Sequence, residues 1–384
     1  MTSASYSSAA AEPFEGLRIR GVAKTFGTDT TVLNEIDLDV HPGELISLVG
    51  SSGTGKSTLL RIIAGLEEPS AGRVTYAGQP LERGSVGVVF QRPILYPHLS
   101  VKDNILFPTR LGAFAGRVDM DYYRELLEAL KLEGLESRKP SQLSGGQVQR
   151  VGIARALIRR APVVLFDEPL ASVDEQMSAS IRADIVRLHE RYGFTGLYVT
   201  HDQNEALMLG QRVAVMDAGY LVQVDTPERL LAHPHTLQVA KLMAAPALNL
   251  LALEDSESLP VGCELAIRAT ALCPVRADTA HALPVQVLGS RHLVGGMLYR
   301  ARLLEVVSLP LESRRASADS ELSARMYARV RAGQELEFFI PDAQGAILSG
   351  TFPNSTFLDV GERVRLGVAA KRCFLFSDGK RFYL

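Results

Sequence analysis

Tryptophan is absent and cysteine is scarce in this chain of 384 residues. The three cysteines, Cys263, Cys273 and Cys373, are odd in number, lack Cys-x-x-Cys spacing and all lie in the C-terminal half, so they read as free thiols in a reducing compartment. No dense Lys/Arg run is present, and a net charge of −2 counts against a nucleic-acid surface. Long apolar runs are also missing. The longest mainly apolar stretch, 242–253, contains Pro246 and Asn249 and falls short of the roughly 18 residues that a membrane span needs, which predicts a soluble protein. Met1 to Glu15 is rich in Ser and Ala but has neither a basic start nor an apolar centre, so it reads as a disordered tail rather than a signal peptide. What remains is an ordinary globular composition, 46% hydrophobic and 22% charged, at a length that favours two domains.

The chain is organised around Gly50-Ser51-Ser52-Gly53-Thr54-Gly55-Lys56-Ser57-Thr58, which fills the G-x-x-x-x-G-K-[ST] pattern of a phosphate-binding loop. Glu44 to Val49 reads as a buried strand before it, and Lys56 to Ala64 as a helix after it. Strand, loop and helix in that order let the backbone N–H groups and the helix N-terminus face an anion. Lys56 would reach the β- and γ-phosphates, and the Ser57 hydroxyl would serve a Mg²⁺ ion.

Upstream, Leu17 to Lys24 and Val32 to Val40 alternate as antiparallel strands. Phe26 between them is either buried filling or an apolar platform for an adenine ring. Downstream, Gly72 to Tyr76 and Val86 to Phe90 read as strands, with Gln91 at the end of the second. Ser100 caps a helix, and Val118 to Leu132 is amphipathic through Tyr123, Leu126, Leu127 and Leu130. Leu143-Ser144-Gly145-Gly146-Gln147 opens a helix predicted over Val148 to Arg159, giving either a second phosphate site without its own lysine or a capped helix start. The apolar run Ala161 to Phe166 ends in Asp167-Glu168, two carboxylates that need a cation or a water to polarise; Asp167 suits Mg²⁺ and Glu168 the attacking water. Asp174 precedes a long helix with the stripe Met177, Ile181, Ile185, Leu188 and Tyr192. Strand Gly196 to Thr200 ends at His201, a candidate for the γ-phosphate.

These motifs together resemble the ATP-binding subunits of ABC transporters, over roughly residues 17–234. Gly50 to Thr58 matches Walker A, Val163 to Glu168 Walker B and Leu143 to Gln147 the signature; Gln91, Asp174 and His201 fall at the Q-loop, D-loop and switch histidine. The resemblance implies an α/β P-loop ATPase with a helical subdomain over about residues 92–160, inside an ATPase domain over 16–236. It implies Glu168, His201, Gln91 and Asp174 as catalytic residues and Ser57, Gln91 and Asp167 as Mg²⁺ ligands. By the same resemblance Phe26 stacks on adenine, and Ser144, Gly145, Gly146 and Gln147 close on the ATP of a second subunit in a head-to-tail dimer, of two copies or of a paralogue pair.

Tyr96 to Val101 and a β-rich extension resemble sugar-uptake importers of the maltose-transporter kind. This implies two membrane permeases, a solute-binding protein and a place on the cytoplasmic face of the membrane, with residues 91–100 as the coupling contact. Importers of polyamine, iron, phosphonate or glycerol phosphate fit the same motifs, and a soluble ABC ATPase acting on nucleic acid or the ribosome is the competing class. Residues 237–384 read as strands alone (Leu283 to Leu288, Met297 to Val307, Glu335 to Ile340, Arg363 to Val368), which argues for a small β-barrel or sandwich; the resemblance implies that this all-β domain is oligonucleotide-binding-like and serves regulation or dimerisation. Three departures stand out: Ala171-Ser172-Val173 before Asp174, Val148 after the signature, and Ala269-Thr270 after Arg268 where the family usually has Pro-Glu.

Overall fold

Alternation along each core strand decides which face of the central sheet a side chain enters. The computed structural model describes residues 14–110, 118–244, 247–253, 263–275, 282–293, 296–311, 326–341, 358, 360, 363–368, 373–377 and 379–382. The chain divides into two compact units at Pro227/Glu228. Most of the tail, to residue 13, and the side chains of Cys273 and Cys373 lie outside the described residues; Cys263 is buried.

In the first unit, β1 (Leu17–Phe26), β2 (Thr30–Val40), β3 (Leu45–Val49), α1 (Lys56–Ile63), β4 (Ala71–Tyr76), β5 (Gln79–Pro80) and β6 (Gly87–Val89) are followed by α2 (Val101–Leu106), α3 (Met120–Ala129) and α4 (Gly145–Leu157). Then come β7 (Val163–Asp167), α5 (Glu175–Tyr192), β8 (Thr195–Thr200), α6 (Gln203–Leu209), β9 (Arg212–Asp217) and β10 (Tyr220–Asp225). One sheet has four antiparallel strands, β2-β1-β4-β5; the other has six, in the order β10-β9-β3-β8-β7-β6, parallel except for the β9–β10 hairpin. Val163 and Leu165 pack with Leu48, Leu59 and the antiparallel sheet, whereas Val164 and Phe166 pack with α3, α4 and α5. Near-continuous apolar runs are what a sheet covered on both faces requires.

The amphipathic stripe of α3 is buried as its spacing predicts, with Tyr123, Leu126, Leu127 and Leu130 at most 4% exposed. Ser100 caps α2 through Asp103 N–H at 3.1 Å. The predicted start of α4 needs correction. The helix begins at Gly145, three residues before Val148, because the Ser144 hydroxyl accepts the Gln147 N–H at 3.3 Å while the Gln147 side chain accepts the Ser144 N–H at 2.9 Å. The signature glycines therefore form the first turn of the helix rather than a loop ahead of it.

Opposite the loop-bearing edge, Arg212 at the start of β9 grips Glu44 just before β3, with Nε to Oε1 at 2.6 Å and Nη2 to Oε2 at 2.8 Å. Burial pushes the Glu44 carboxyl up, but hydrogen bonds from Arg212 and the His41 N–H outweigh it and hold it below the ordinary carboxylate value. Arg212→Ala leaves that carboxylate, only 10% exposed, without its cation. Urea denaturation near neutral pH should show a loss of about 3 kcal/mol. A depressed pKa contributes stability above the ordinary carboxylate value that disappears as pH falls through the folded-state value, so the difference between parent and variant should shrink in acid.

The second unit carries α7 (Pro227–Ala232), which starts at the division, and α8 (Leu237–Leu242). Its strands are β11 (Leu248–Ala252), β12 (Glu264–Arg268), β13 (Leu272–Val275), β14 (Leu283–Leu293), β15 (Gly296–Leu303), β16 (Val307–Leu311), β17 (Met326–Val330), β18 (Glu335–Pro341), β19 (Arg363–Val368), β20 (Cys373–Ser377) and β21 (Lys380–Phe382). They form antiparallel sheets β11-β12-β20-β21, β13-β19-β14-β15-β18 and β16-β17. The run from Met297 to Val307 is two strands, not one: Leu304 and Val306 between them are 39% and 40% exposed, so the apolar alternation breaks there. Asn249 joins two sheets, its amide donating to the Ile267 and Glu337 carbonyls and accepting the Glu337 N–H. Arg268, 7% exposed, donates to the carbonyls of Met243 and Leu231. That structural use of the guanidinium does not depend on the Pro-Glu that the sequence lacks.

Candidate active site

Four parallel strands deliver the candidate chemistry to one edge of the sheet. Val49 pairs with Thr200, Val199 with Asp167, and Phe166 with Val89. Residues immediately beyond these C-terminal ends, Gly50, His201, Glu168 and Gln91, are therefore neighbours along the edge where α/β sheets bind ligands.

The loop is shaped by two glycines that nothing larger replaces. A Cβ at Gly50 would lie 2.3 Å from the Met216 carbonyl oxygen, and Gly55 has φ +99° with the Val32 carbonyl oxygen 2.8 Å from the place of a Cβ. Gly53 and Thr54 complete the turn, the Thr54 hydroxyl donating to the Ser51 carbonyl at 3.0 Å, while Ser51 and Ser52 are exposed. Lys56 is 4% exposed, and its ammonium donates to the carbonyls of Gly50 at 2.8 Å and Ser51 at 2.9 Å. Burial lowers its pKa, opposed by the charges of Glu168 and Asp167. Thr58 continues α1.

Ser57 Oγ donates to Asp167 Oδ1 at 3.1 Å, so the loop and the end of β7 share one pair of oxygen atoms. Burial raises the Asp167 carboxyl above the usual carboxylate range, and Glu168 adds to this, against the Ser57 hydroxyl, Arg61 and Lys56. Glu168 stands in the left-handed region at φ +44°, and its N–H still bonds the Val199 carbonyl at 3.0 Å. A non-glycine residue held there costs on the order of 1–3 kcal/mol, a strain typical of functional positions. His201 Nδ1 lies 2.9 Å from Glu168 Oε2; the carboxylate can only accept, so Nδ1 carries the hydrogen.

These features unite a phosphate loop, a carboxylate beside a loop hydroxyl, and a carboxylate–histidine pair. The ABC transporter family model matches residues 33–171, taking in the loop, Gln91, the signature and Asp167-Glu168. The sn-glycerol-3-phosphate import ATP-binding protein UgpC of Salmonella typhi is 37% identical over 350 residues, covering 87% of this chain and 98% of its own length. The chain belongs to the ATP-binding subunits of ABC importers. A protein of the same description from Rhizobium johnstonii is 45% identical over 241 residues, 61% of this chain and 65% of its own length. In structure, cbiO1 from Clostridium perfringens, part of the ABC transporter complex cbiONQ, matches with a TM-score of 0.52 and 27% identity over 58% of this chain and 92% of that one.

Within this ABC ATPase, three sequence candidates are not hydrogen-bonded to Lys56, Ser57, Asp167, Glu168 or His201: Gln91 on the same edge, Asp174 and the signature turn. Gln91 lies two residues beyond β6, exposed on the same edge. Asp174 caps α5, its carboxylate accepting the Met177 N–H at 2.9 Å. The signature turn packs on the first turn of α5: Ser144 and Gly145 are exposed, Gly146 packs so closely on Met177 that a Cβ would come within 2.7 Å, and Arg150 ties α4 to Ser180 and the buried Asp184 of α5 at 2.9 and 2.8 Å.

Phe26 is 43% exposed, which removes the buried-filling alternative; the Lys24 ammonium sits 4.9 Å from its ring centroid. Sequence reasoning passed over Lys24, although strand alternation places residues 24 and 26 on one face. It also passed over Phe107, Arg155 and Arg159, which with Phe90, Ile94 and Tyr96 line an open groove of about 600 Å³. Burial lowers the pKa of both arginines. No local signal marks these residues, because they come from separate elements.

Proposed function

We propose that this ATPase drives solute import by closing head to tail on ATP with a second cassette, a second copy or a paralogue. The observation that carries the reading is the convergence of Lys56, Ser57, Asp167, Glu168 and His201 at one sheet edge, with no signature residue in that cluster. A site with a lysine and a separate exposed helix start without one are complementary halves. In this reading Phe26 stacks on adenine, and the N–H groups of residues 50–58 and Lys56 hold the β- and γ-phosphates. The signature turn of the other cassette, Ser144 to Gln147, caps the γ-phosphate, and Asp174 lines the joint. Glu168 takes a proton from the attacking water while His201 orients the Glu168 carboxylate and contacts the γ-phosphate.

The residues present fit Mg²⁺. Ser57 Oγ and Asp167 Oδ1 offer two hard oxygen donors, and among the described residues no group of three or more His, Cys, Asp or Glu side chains could hold a metal alone. That is the donor set of an ion held chiefly by nucleotide phosphates and water. With Gln91 from the neighbouring strand end as a further ligand, the ion would neutralise charge developing on the phosphates.

Among the described residues no helix is long and apolar enough to cross a membrane, so in this reading separate permeases carry the solute and the ATPase binds them from the cytoplasmic face. The groove beside Gln91 suits a permease helix: Ile94 is 84% exposed and Phe90 42%, and Arg92, Arg155 and Arg159 line the same groove. Ile94→Asp should reduce recovery of permeases with the ATPase at least about tenfold, as an interface anchor does, while the ATPase rate of the isolated chain stays unchanged. Undiminished recovery removes this surface from coupling.

The solute belongs to the carbohydrate-related class, and sn-glycerol 3-phosphate is the specific choice, supported by relatives that match nearly their whole length. The second unit serves as a regulatory or dimerisation domain. Purification of Glu168→Gln with ATP from gently solubilised native membranes tests the reading. It should bring down two polytopic subunits and a solute-binding protein whose bound ligand is glycerol 3-phosphate. Recovery with ribosomes or nucleic acid would overturn transport, and a different ligand would overturn the choice of solute.

A further inference from the structure

Tyr198 and Thr200 lie on one face of β8, two residues apart, and both hydroxyls donate to the same carboxylate oxygen, Oε2 of Glu205, at 3.2 and 2.8 Å. Glu205 lies in α6 and is 7% exposed. Its other oxygen is 3.5 Å from Arg182 Nη1, and Arg182, 8% exposed, reaches Glu175 at 2.9 Å through Nη2. Thr200 Oγ1 also accepts the Asp202 N–H at 3.0 Å, and Asp202 Oδ1 accepts the N–H groups of Asn204 and Glu205. The three-residue turn Thr200-His201-Asp202 is thus tied at both flanks to Glu205, to its buried carboxylate through Thr200 and to its backbone N–H through Asp202. His201 itself is 56% exposed and touches Glu168 from that turn.

A buried ion pair is seldom retained for stability alone, since burying both charges costs much of what their attraction returns. Here the pair sits where it fixes a direction. We propose that Glu205, held by Arg182, is a positioning residue that clamps the switch turn through Thr200 and thereby aims His201 at Glu168 and the γ-phosphate. Glu175 follows Asp174 directly, so the same arginine anchors the switch turn and the helix start that the D-loop leads into. The inference rests on the switch role proposed for His201. Nothing in Glu205 touches the reacting atoms; it acts through the geometry of the turn.

Steady-state ATPase kinetics on the full chain test it. Glu205→Ala should lower kcat about 30-fold with KM for ATP within about threefold, because positioning acts on the transition state more than on substrate binding. Glu205→Gln, which keeps an acceptor for both hydroxyls, should recover most of that loss. Thr200→Val is the milder cut, expected to cost about tenfold in kcat, and Thr200→Ser, which restores the hydroxyl, should return to within about twofold of the parent. In a His201→Ala background, Glu205→Ala should change kcat by less than about twofold, since residues acting as one unit are not additive. A slow His201→Ala combined with multiplied losses in the double variant would overturn the clamp alone, as would parental kcat in Glu205→Ala or Thr200→Val. Parental kcat in His201→Ala would overturn the switch role and the clamp with it.

Discussion

Glu168→Gln should hydrolyse ATP at least about 100-fold more slowly than the parent while binding it with affinity within a few-fold, the signature of a lost general base. The side chain already occupies the position the role needs. Its left-handed backbone, φ +44°, lets the carboxylate leave the line of β7 and meet His201 at 2.9 Å while the main chain keeps its bond to Val199. A glutamine preserves size and the hydrogen bond from His201 Nδ1 but cannot take a proton from water, so the effect falls on kcat. Single-turnover hydrolysis and equilibrium ATP binding, measured on the same preparation, separate the two quantities. A turnover within tenfold of the parent would take the base role from Glu168.

Lys56→Ala should weaken ATP binding by more than about 100-fold, because a buried ammonium facing phosphate supplies at least two charge-assisted hydrogen bonds of about 1.5–3 kcal/mol each. Its own surroundings indicate how it is prepared. The ammonium is held by two carbonyls of the loop, Gly50 and Ser51, and burial lowers its pKa against the charges of Glu168 and Asp167. Phosphate oxygens can take over from those carbonyls with little movement, so the cation is pre-organised. Removing it relieves the cost of burying a charge along with two neutral acceptors' bonds, and the unfolding free energy should change by less than about 2 kcal/mol. Isothermal titration with ATP, paired with thermal unfolding of the same variant, distinguishes a binding defect from a folding one. Near-parental affinity in a folded Lys56→Ala would remove the lysine from phosphate binding.

Both effects depend on residues that are far apart in the chain. Lys56 and Ser57 are about a hundred positions from Asp167 and Glu168, and His201 is further still, yet each is announced locally: by the glycine pattern around Lys56, by two acids closing an apolar run, by a histidine closing another. The strand–loop–helix order around residue 50, the amphipathic stripe of α3 and the strands that became β7 and β8 were all legible, because period and turn chemistry are properties of neighbours in sequence. The start of α4 was misplaced for a related reason: the two glycines signal a loop by propensity, but the reciprocal bonds of Ser144 and Gln147 carry them into the helix. Met297 to Val307 looked continuous because local alternation does not reveal which side the next strand lies on.

The sequence by itself determined the ATPase family of this protein, the candidate residues for its chemistry and the order in which the chain supplies them. The tertiary structure alone decided which of them meet. Parallel pairing of β3, β8, β7 and β6 sets Gly50, His201, Glu168 and Gln91 side by side, and the packing of α5 and α6 over β8 gathers Tyr198, Thr200, Glu205 and Arg182 into one buried network. Motifs are short-range patterns, readable from spacing. A carboxylate shared by a strand and two helices has no spacing to read, since its partners are fixed by how the layers stack.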